Sequence, residues 1–512
     1  MSLITGFGGG GGKSGGGGAG GSASEDPNTL RSTQYATVLD ALSEGPIFGL
    51  VNGAQSVFFD RVPLQNADGT YNFNNASFGY TTGDIASNQH ASSALTGDAS
   101  YVESTTSVGV QVWQATPIVR TVTQANVDHI RVTISTPALT NTDTSNGHVS
   151  GNTAWFSVSI QSNGGGYVQV IADSFSGKTT SKYARDYLIP VSGTGPWDIK
   201  VTRSSADDSN TFSQSQIWFD EFTAIISTKM EYRHTAIAGI SIDAQQFSSI
   251  PTRAYDVKGM IINIPSNYDP IYRNYVGTWD GTFKLAWSDN PAWIFYDSLT
   301  NSRYGLGQYI NESLVDIWQL YTIAQYCDQL VPDGMGGMEP RFTCNLYLNT
   351  QQDAYKLIQD LASVFRAIVY WAGGAISVVQ DAPSDPIQIF SPSNVIDGAF
   401  SYQGASTKAM HTVCLVTYQD PNNWYQSNVE YVQDDADVAK YGVIKTSITA
   451  IGCTSRGQAH RLGKWLLYSE RLESETVTFR AGMDAVYCYP GAIIQTTDPI
   501  RAGGRMGGLM RS

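Results

Sequence analysis

A period of two dominates the first half of this sequence. Between about residues 69 and 220, short runs of alternating apolar and polar residues are separated by residues typical of turns. Such alternation predicts strands with one buried face, and several of them at this spacing favour an antiparallel sandwich. Residues 153–174 predict a hairpin that turns near 164–166. The positions predicted to face the core in two of the runs are Ile130, Val132 and Ile134, and Phe156, Val158 and Ile160.

Helical periodicity begins only after residue 290. PAWIFYDSLT places Pro291 at the first position of a predicted helix. NESLVDIWQLYTIAQYCDQL predicts a second helix, whose apolar stripe comprises Leu314, Ile317, Tyr321, Ala324 and Cys327. A third predicted helix covers Gln351–Ile368 with Thr350 as its cap, and a fourth begins after a cap at Thr454 or Ser455. The predicted fold class is therefore mainly β with a smaller α+β part.

Length and charge narrow the possibilities further. At 512 residues and 55.4 kDa the chain is too long for one hydrophobic core, which predicts several domains. Its formal net charge of −14 argues against a general phosphate-binding surface, because nucleic-acid affinity depends on clustered lysines and arginines. No apolar run approaches the roughly 20 residues that span a bilayer, and the N-terminus lacks the apolar core of a signal peptide.

The five cysteines predict neither a zinc site nor a disulfide framework. They are widely spaced, odd in number and contain no CxxC pair. Buried free thiols in a protein made in a reducing cytoplasm are the expectation. The cysteines are Cys327, Cys344, Cys414, Cys453 and Cys488.

Two segments come close to a nucleotide-binding P-loop without matching it. The motif needs a glycine five residues before the glycine of its GK pair. GGKS, in the glycine-rich N-terminus, has Phe7 at that position, and SGKTT at Ser176–Thr180 has Ala172 there. We therefore predict no nucleotide, and no other cofactor.

The remaining polar candidates do not form a catalytic pattern. HExxH, GxSxG and metal-spaced Cys/His clusters are absent from the sequence. The adjacent acids at 207–208 and 434–435 lie in polar, loop-like sequence and predict charged surface. We interpret His234 as a packing or edge residue, and His460 with Arg461 as an exposed or interface pair. We predict no enzyme, and no catalytic, metal-binding or cofactor-binding residue.

Several phrases occur in the same order as in a known family. They are PSNYDP, GTWDGTFK, AWIFYDSLTNSRYGLG and QYCDQLVPDGMGGMEPR within residues 265–348, followed by QDAPSDP and CTSRGQAHR. As an ordered set they resemble the tail tip protein J family of siphophages, the central hub and host specificity protein of lambda-like tails. The resemblance covers nearly the whole chain except the glycine-rich arm.

The resemblance implies a domain order, with tail-tube-like β-barrel domains and an inserted β-sandwich. The resemblance also implies that the sequence pattern of the family continues beyond the end of this chain. The implied parts are a flexible arm (1–30), a first hub β-domain (31–84 with 223–264), the inserted sandwich (85–222), an α+β hub domain (265–395) and a tail-tube-like β-domain with one helix (396–512).

It also implies a role. Three copies would form a ring at the distal end of the tail, closing the tube, and two barrel-like domains per copy would let the trimer dock on a six-fold tube. The implied partners are distal tail and tip proteins, the tail tube ring and the C-terminal end of the tape measure protein. A host receptor would be bound through regions absent from this chain. DNA would pass the lumen without specific binding, after assembly in the host bacterial cytoplasm.

Two other classes of function stay open on the sequence. A carbohydrate-binding tail adhesin would explain a β-sandwich rich in tyrosine. A wall-degrading tail enzyme would suit a tail tip, although no motif in the sequence supports it.

Overall fold

The structure is a computed structural model, and the chain in it divides into two compact units. Unit one comprises residues 1–42 and 52–256, and unit two comprises residues 43–51 and 257–512. The structure describes residues 24–32, 35–84, 101–227, 232, 234–243, 246–247, 249–349, 353–372, 374–404, 410–500 and 505–510. Strands far outnumber helices in these ranges, so the predicted mainly β class is confirmed.

The strands before residue 228 are mostly antiparallel. The first are β1 (Tyr35–Glu44), β2 (Ile47–Leu50), β3 (Val57–Phe59), β4 (Val62–Pro63) and β5 (Ser77–Thr81). Those of residues 101–227 are β6 (Tyr101–Val112), β7 (Ile118–Val122), β8 (His129–Thr136), β9 (Thr140–Thr142), β10 (Val149–Ser150), β11 (Asn152–Ser162), β12 (Val168–Gly177), β13 (Tyr183–Pro190), β14 (Trp197–Arg203), β15 (Ser213–Gln214) and β16 (Ile217–Ser227).

Residues 101–227 form two four-stranded sheets around one core. The strand orders are β12-β11-β14-β7 and β13-β8-β16-β6. The predicted hairpin is confirmed, since β11 pairs antiparallel with β12. Alternate residues of both sheets are buried in the same apolar cluster, as period-two patterning requires. The predicted core positions are confirmed, because Ile130, Val132, Ile134, Phe156, Val158 and Ile160 are all buried.

Residues 24–30 pack against this sandwich. Glu25 bridges Val149 of β10, and the amides of Thr29 and Leu30 donate to the carbonyl of Lys178. A Cβ atom added at Gly177 would lie 2.5 Å from Thr29 Oγ1, so only glycine allows this close approach. Residues 1–23 of the predicted flexible arm lie outside the described residues.

The rest of unit one consists of small sheets. Their strand orders are β1-β17-β5 and β18-β3-β4, in which β17 is Thr235–Asp243 and β18 is Arg253–Tyr255. The rings of Phe59, Phe73 and Phe247 contact one another, with centroids 5.1–6.2 Å apart. Arg253 donates to both carboxylate oxygens of Asp40 at 2.6 and 2.9 Å. Charge-assisted bidentate pairing of this kind fixes one strand to another.

Unit two contains the helices. They are α1 (Pro291–Thr300), α2 (Ile317–Asp328), α3 (Ala354–Val364), α4 (Asp435–Tyr441) and α5 (Arg456–Leu472). Its strands besides β2 are β19 (Val257–Pro265), β20 (Tyr268–Asp269), β21 (Asn274–Tyr275), β22 (Phe283–Trp287), β23 (Leu330–Pro332), β24 (Met338–Pro340), β25 (Ala367–Ala372), β26 (Ala375–Gln380), β27 (Gln388–Phe390), β28 (Ser401–Gly404), β29 (Val413–Asp420), β30 (Gln426–Gln433), β31 (Lys445–Thr449), β32 (Glu475–Thr478), β33 (Ile493–Thr497) and β34 (Arg505–Leu509).

The helix predictions hold in part. Pro291 begins α1 as predicted, and Ser455 rather than Thr454 caps α5. Helix α3 is shorter than the predicted span 351–368: Asp353 caps it by accepting from the amide of Lys356, and residues 350–352 lie outside the described residues. It ends before Arg366, whose φ of 58° is left-handed and incompatible with a continuing helix.

Helices α1, α2 and α3 enclose an aromatic core. Trp293 is fully buried and contacts Trp279, with ring centroids 5.9 Å apart. The predicted stripe of α2 is correct for Ala324 and Cys327, which are buried, but it missed Leu320 and Ile323. It placed Leu314 in the helix, whereas Leu314 lies in a preceding 3-10 turn.

Helix α5 packs on a separate sheet with the order β30-β29-β31, in which β29 and β31 are parallel. The buried residues Val416, Val432 and Leu467 belong to their shared core. In the described part of the chain, no helix combines the length and apolarity that crossing a bilayer requires.

Candidate functional site

Two distant phrases meet in unit two, and we call their meeting point the motif junction. One side is the β23–β24 hairpin with residues 341–345, which belong to the phrase QYCDQLVPDGMGGMEPR or directly follow it. The other side is residues 452–461, which include CTSRGQAHR. The tip of the hairpin is rich in glycine, and Asp333 Oδ1 there accepts from the amides of Met335 and Gly337. The junction therefore brings a rigid turn against the first two turns of α5.

Glu339 lies at the centre of the motif junction. Its carboxylate accepts from Ser455 Oγ at 2.5 Å and from Arg461 Nη1 at 2.5 Å. Arg461 also donates to the carbonyls of Pro340 and Arg341 at 3.4 and 3.0 Å. Because Ser455 also caps α5 by accepting from the amide of Gln458, Glu339 fixes the helix start and the helix side at once.

Gln458 makes a second tie. Its side-chain oxygen accepts from the amide of Thr343 at 3.0 Å, and its side-chain nitrogen donates to the carbonyl of Thr343 at 3.0 Å. The amide of Asn345 donates to the carbonyl of Gly452 at 2.8 Å. Gln458 therefore satisfies the amide and the carbonyl of Thr343, which in an extended segment would otherwise pair with a neighbouring strand.

Two glycines of α5 permit close packing. A Cβ atom at Gly457 would lie 2.4 Å from Glu339 Oε1 and 2.6 Å from the carbonyl oxygen of Asp333. A Cβ atom at Gly463 would lie 2.8 Å from Val432 Cγ2 and 3.0 Å from Val416 Cγ2. Glycine inside a helix costs about 1 kcal/mol relative to alanine, so these positions exchange helix propensity for a short distance to the hairpin and to the sheet.

A largely buried ionic network lies close to the phrase that begins at Pro265, and it is centred on Arg273. Arg273 donates to both oxygens of Asp289, at 2.7 and 2.8 Å, and to Asp328 at 3.1 Å. Burial raises the pKa of Asp328 above its usual range, although the hydrogen bond from Tyr275 and the charge of Arg273 act in the opposite direction. Asn290, which is fully buried, caps α1 and donates to Asp328 at 2.8 Å. The network orders the turn around residues 269–275 against α1 and α2.

The phrase AWIFYDSLTNSRYGLG forms a similar tie. Asp297 in α1 is 2% exposed and accepts from the hydroxyl of Tyr304 and, at 3.1 Å, from the amide of Asn263. Burial raises the pKa of Asp297. A Cβ atom at Gly307 would lie 2.0 Å from the carbonyl oxygen of Thr300, so the chain can fold back on the end of α1 only with glycine there.

The two near misses to a P-loop have different outcomes. GGKS lies outside the described residues. In SGKTT, Lys178 is 2% exposed, and its ammonium group donates to Glu25 Oε1 at 2.6 Å and to the carbonyl of Asp26 at 2.5 Å. Its charge is thus satisfied by the N-terminal segment of unit one, in place of a phosphate.

The other polar candidates have structural partners. Asp208 accepts from the amide and hydroxyl of Ser215, and Asp434 caps α4 and pairs with Arg471 at 3.0 Å. His234 has a φ of 59° and lies in a turn before β17. His460 is half-exposed and contacts Glu430 at 2.9 Å, whereas Arg461 is more buried than predicted because Glu339 holds it.

The described cysteines are free thiols, and Cys327, Cys344, Cys414 and Cys453 are buried. Burial raises the pKa of Cys344 to about 12 and that of Cys453 to about 11. Within the described ranges, no group of three or more His, Cys, Asp or Glu residues could hold a metal ion. The polar groups of the motif junction bind one another and hold backbone segments together.

Comparison with known proteins gives matches along nearly the whole chain. The family model "Tip attachment protein J, FNIII-A domain" matches residues 102–228, and the model "Putative phage tail protein" matches residues 353–509. A structure of Bacillus endospore appendages matches with a TM-score of 0.12 and 10% identity over 28% of this chain and 88% of that chain. A TM-score this low carries no argument.

Two curated relatives are named Tip attachment protein J. The protein of Escherichia phage SECphi27 is 38% identical over 93% of this chain and 39% of its own length. That of Escherichia phage SECphi4 is 36% identical over 94% of this chain and 42% of its own length. The chain spans about two fifths of the length of these relatives. On these matches, the chain belongs to the tip attachment protein J family of phage tail proteins.

Proposed function

We propose that this chain is the hub portion of the tail tip of a phage with a long non-contractile tail. The observation that carries the proposal is the identity of 36–38% to tip attachment proteins over at least 93% of the chain. The ties in the motif junction support a structural role, because the polar groups in the most family-specific phrases hold segments of the chain together. On this proposal the protein is not an enzyme and acts at the distal end of the tail.

The proposed assembly is a homotrimeric ring that closes the tail tube. In it, residues 31–84 with 223–264 and residues 396–512 would be the tail-tube-like domains. Residues 265–395 would be the α+β hub domain, and residues 85–222 the inserted sandwich. The ring would contact the tail tube, distal tail and tip proteins and the end of the tape measure protein. Receptor binding would belong to regions outside this chain.

The charge of the chain agrees with a DNA conduit. A lumen that shared the net charge of −14 would repel phosphate and keep DNA from adhering during ejection. Lysine substitutions at lumen-facing positions should slow ejection in this proposal. Ejection rates unchanged by them would count against the repulsive lumen without affecting the hub role.

Localisation in the virion tests the proposal. Phage particles labelled with gold-conjugated antibody against residues 31–512 should carry gold only at the distal tip of the tail. Particles treated with pre-immune antibody provide the control. Gold along side fibres, or on no particle at all, would overturn the hub proposal.

A tail adhesin is the second candidate. It is supported by two exposed tryptophans of the sandwich: Trp113 is 47% exposed and Trp155 is 56% exposed. Exposed aromatic rings offer flat apolar surface with a polar edge, which suits sugar rings. Glycan-array binding by the chain that is lost in Trp155→Ala would favour this candidate, and an array without signal would exclude it.

A further inference from the structure

A cavity of about 710 Å³ in unit two is lined by more cations than anions. Its walls come from the end of α2, residues 381–383, the outer face of α5 and the β33–β34 hairpin. Two carboxylates, Asp381 and Glu473, also line it. The balance is opposite in sign to that of the whole chain, which has 45 acidic and 31 basic side chains. The cationic residues that line it are Arg341, Arg366, Arg461 and Lys464.

Two of the guanidinium groups lack a carboxylate partner among the described residues. Arg366 donates from Nη2 to the carbonyl of Arg461 at 3.1 Å, and Arg341 donates from Nη2 to Gln329 Oε1 at 3.1 Å. The Nε atoms of both arginines are buried without a hydrogen-bond partner in the described chain. By contrast, Arg461 is paired with Glu339. Buried guanidinium donors left open are costly, because desolvation is not repaid by an opposite charge.

Aromatic rings hold the two arginines in place. The guanidinium of Arg366 lies 5.0 Å from the ring centroid of Trp465 and 5.3 Å from that of Phe342. The guanidinium of Arg341 lies 4.3 Å from the ring centroid of Tyr326. Such contacts orient a guanidinium and offset part of its desolvation, but they leave its in-plane donors open.

The neighbouring cations affect Arg366. Its pKa is lowered to about 10, mainly by burial and in smaller part by the charges of Arg461 and Arg341, while Asp381 acts in the opposite direction. Asp381 accepts a hydrogen bond from Trp465 Nε1 at 2.7 Å. The positive potential that remains favours binding of an anion.

The lining selects among anions. Planar guanidinium groups bind carboxylate and phosphate alike, but Asp381 and Glu473 repel a dianion more strongly than a monoanion. The side chains of Tyr468, Leu472 and Ile493 add apolar wall. We propose that this cavity binds a carboxylate carried by a polypeptide, with Arg366 and Arg341 as the donors and Lys464 at the rim.

The carboxylate has two possible sources, a second copy of this acidic chain or another protein. Both supply an aspartate or glutamate side chain flanked by apolar residues. The inference stands on the cavity alone and does not depend on the proposed place of the chain in a virion.

Peptide binding to the full 512-residue chain tests the proposal. The probe is acetyl-Leu-Asp-Leu-amide, and the matched control is acetyl-Leu-Asn-Leu-amide, which has the same shape without the charge. Calorimetry or ligand-observed NMR should give about tenfold tighter binding of the aspartate peptide, as a charge-assisted hydrogen bond provides. Equal affinity for the two peptides would overturn the proposal.

Variants locate the site. Arg366→Gln should remove the preference for the aspartate peptide, and Lys464→Gln, on the exposed rim, should reduce it about two- to fourfold. Arg456→Gln is the matched control, since it removes the same charge from the same helix at a residue that does not line the cavity. If Arg366→Gln fails to fold, the Lys464→Gln measurement still decides. A preference that survives in both folded variants would place the carboxylate elsewhere and overturn the proposal.

Sedimentation of the same proteins identifies the source. An oligomer of the wild-type chain that dissociates in Arg366→Gln and on addition of the aspartate peptide indicates a second copy. A sedimentation coefficient unchanged by the peptide, together with aspartate-selective binding, indicates another protein. Either result supports the carboxylate site.

Discussion

Arg461 Nη1 lies 2.5 Å from Glu339 Oε1, although the two residues are 122 positions apart in the chain. This pair joins α5 to the β23–β24 hairpin, and both members are about one fifth exposed.

Glu339→Gln should destabilise unit two. The substitution removes the charge that pairs with Arg461 while keeping an acceptor for Ser455, so we expect a loss of about 1–3 kcal/mol in the free energy of unfolding. Urea unfolding followed by tryptophan fluorescence measures it. Glu44→Gln is the control, because Glu44 pairs with Arg303 in a more exposed position and should cost less than about 1 kcal/mol. Equal losses in the two variants would contradict a special role for Glu339.

Gly463→Ala should destabilise the protein even though alanine is the better helix former. The added methyl would lie 2.8 Å from Val432 Cγ2, which is fully buried and cannot move away. Overpacking of about 1–3 kcal/mol outweighs a propensity gain of about 1 kcal/mol. Lys464→Ala, one residue later on an exposed position, should change stability by less than about 0.5 kcal/mol. A stabilised Gly463→Ala protein would show that α5 and the sheet can separate freely.

Asp297 should give unit two an acid-stabilised component. Burial raises its folded pKa above the unfolded value, so the folded state binds the proton more tightly. Stability from this group therefore rises as pH falls through the folded pKa, and it is complete below the unfolded value of about 4. The asparagine of Asp297→Asn does not titrate. As the pH is lowered from neutral to about 4.5, the wild-type protein should therefore gain stability relative to the variant.

Urea midpoints of the wild-type protein and Asp297→Asn, measured in parallel across that range, give the comparison. The difference between the two proteins isolates Asp297, because the other titrating groups are common to both. A difference that stays constant with pH, or that changes with the opposite sign, would contradict the raised pKa.

Lys178→Met should release the N-terminal segment from the sandwich. The alkyl part of the side chain is retained, but the bonds to Glu25 and to the carbonyl of Asp26 are lost. Because a hydrogen bond to a charged group contributes about 1.5–3 kcal/mol, amide exchange in residues 24–32 should accelerate roughly ten- to hundredfold. Lys182→Met, which removes an exposed partner of Asp220, should leave exchange there unchanged. The same rate in both variants would mean that backbone pairing alone holds the segment.

Local sequence pattern correctly predicted the buried faces of two strands and the start of one helix. Period-two alternation located the buried faces of β8 and β11, and Pro291 marked the start of α1. Local pattern was insufficient where backbone strain or tertiary packing decides. Helix α3 ends before the left-handed Arg366, and the buried face of α2 includes Leu320 and Ile323, which a short stripe cannot distinguish from its neighbours.

The candidate site was accessible to prediction only in its parts. The phrases that form the motif junction were singled out in the sequence, but nothing local indicates that Glu339 and Arg461 meet. The available signal was a pair of opposite charges in separate phrases: a glutamate just after a glycine-rich segment, and an arginine two turns into a capped helix. The predicted domain boundaries and the flexible arm remain predictions.

The motif junction also sets an order of events at the ribosome. The β23–β24 hairpin leaves the ribosome more than one hundred residues before Arg461 does, which at synthesis rates of about 5–20 residues per second is a delay of several seconds or longer. During that interval Glu339 and the backbone groups of residues 343–345 have no helix to bind them. The motif junction can therefore form only after the start of α5 has been translated. We expect nascent chains stopped before residue 456 to need protection from association in the cell.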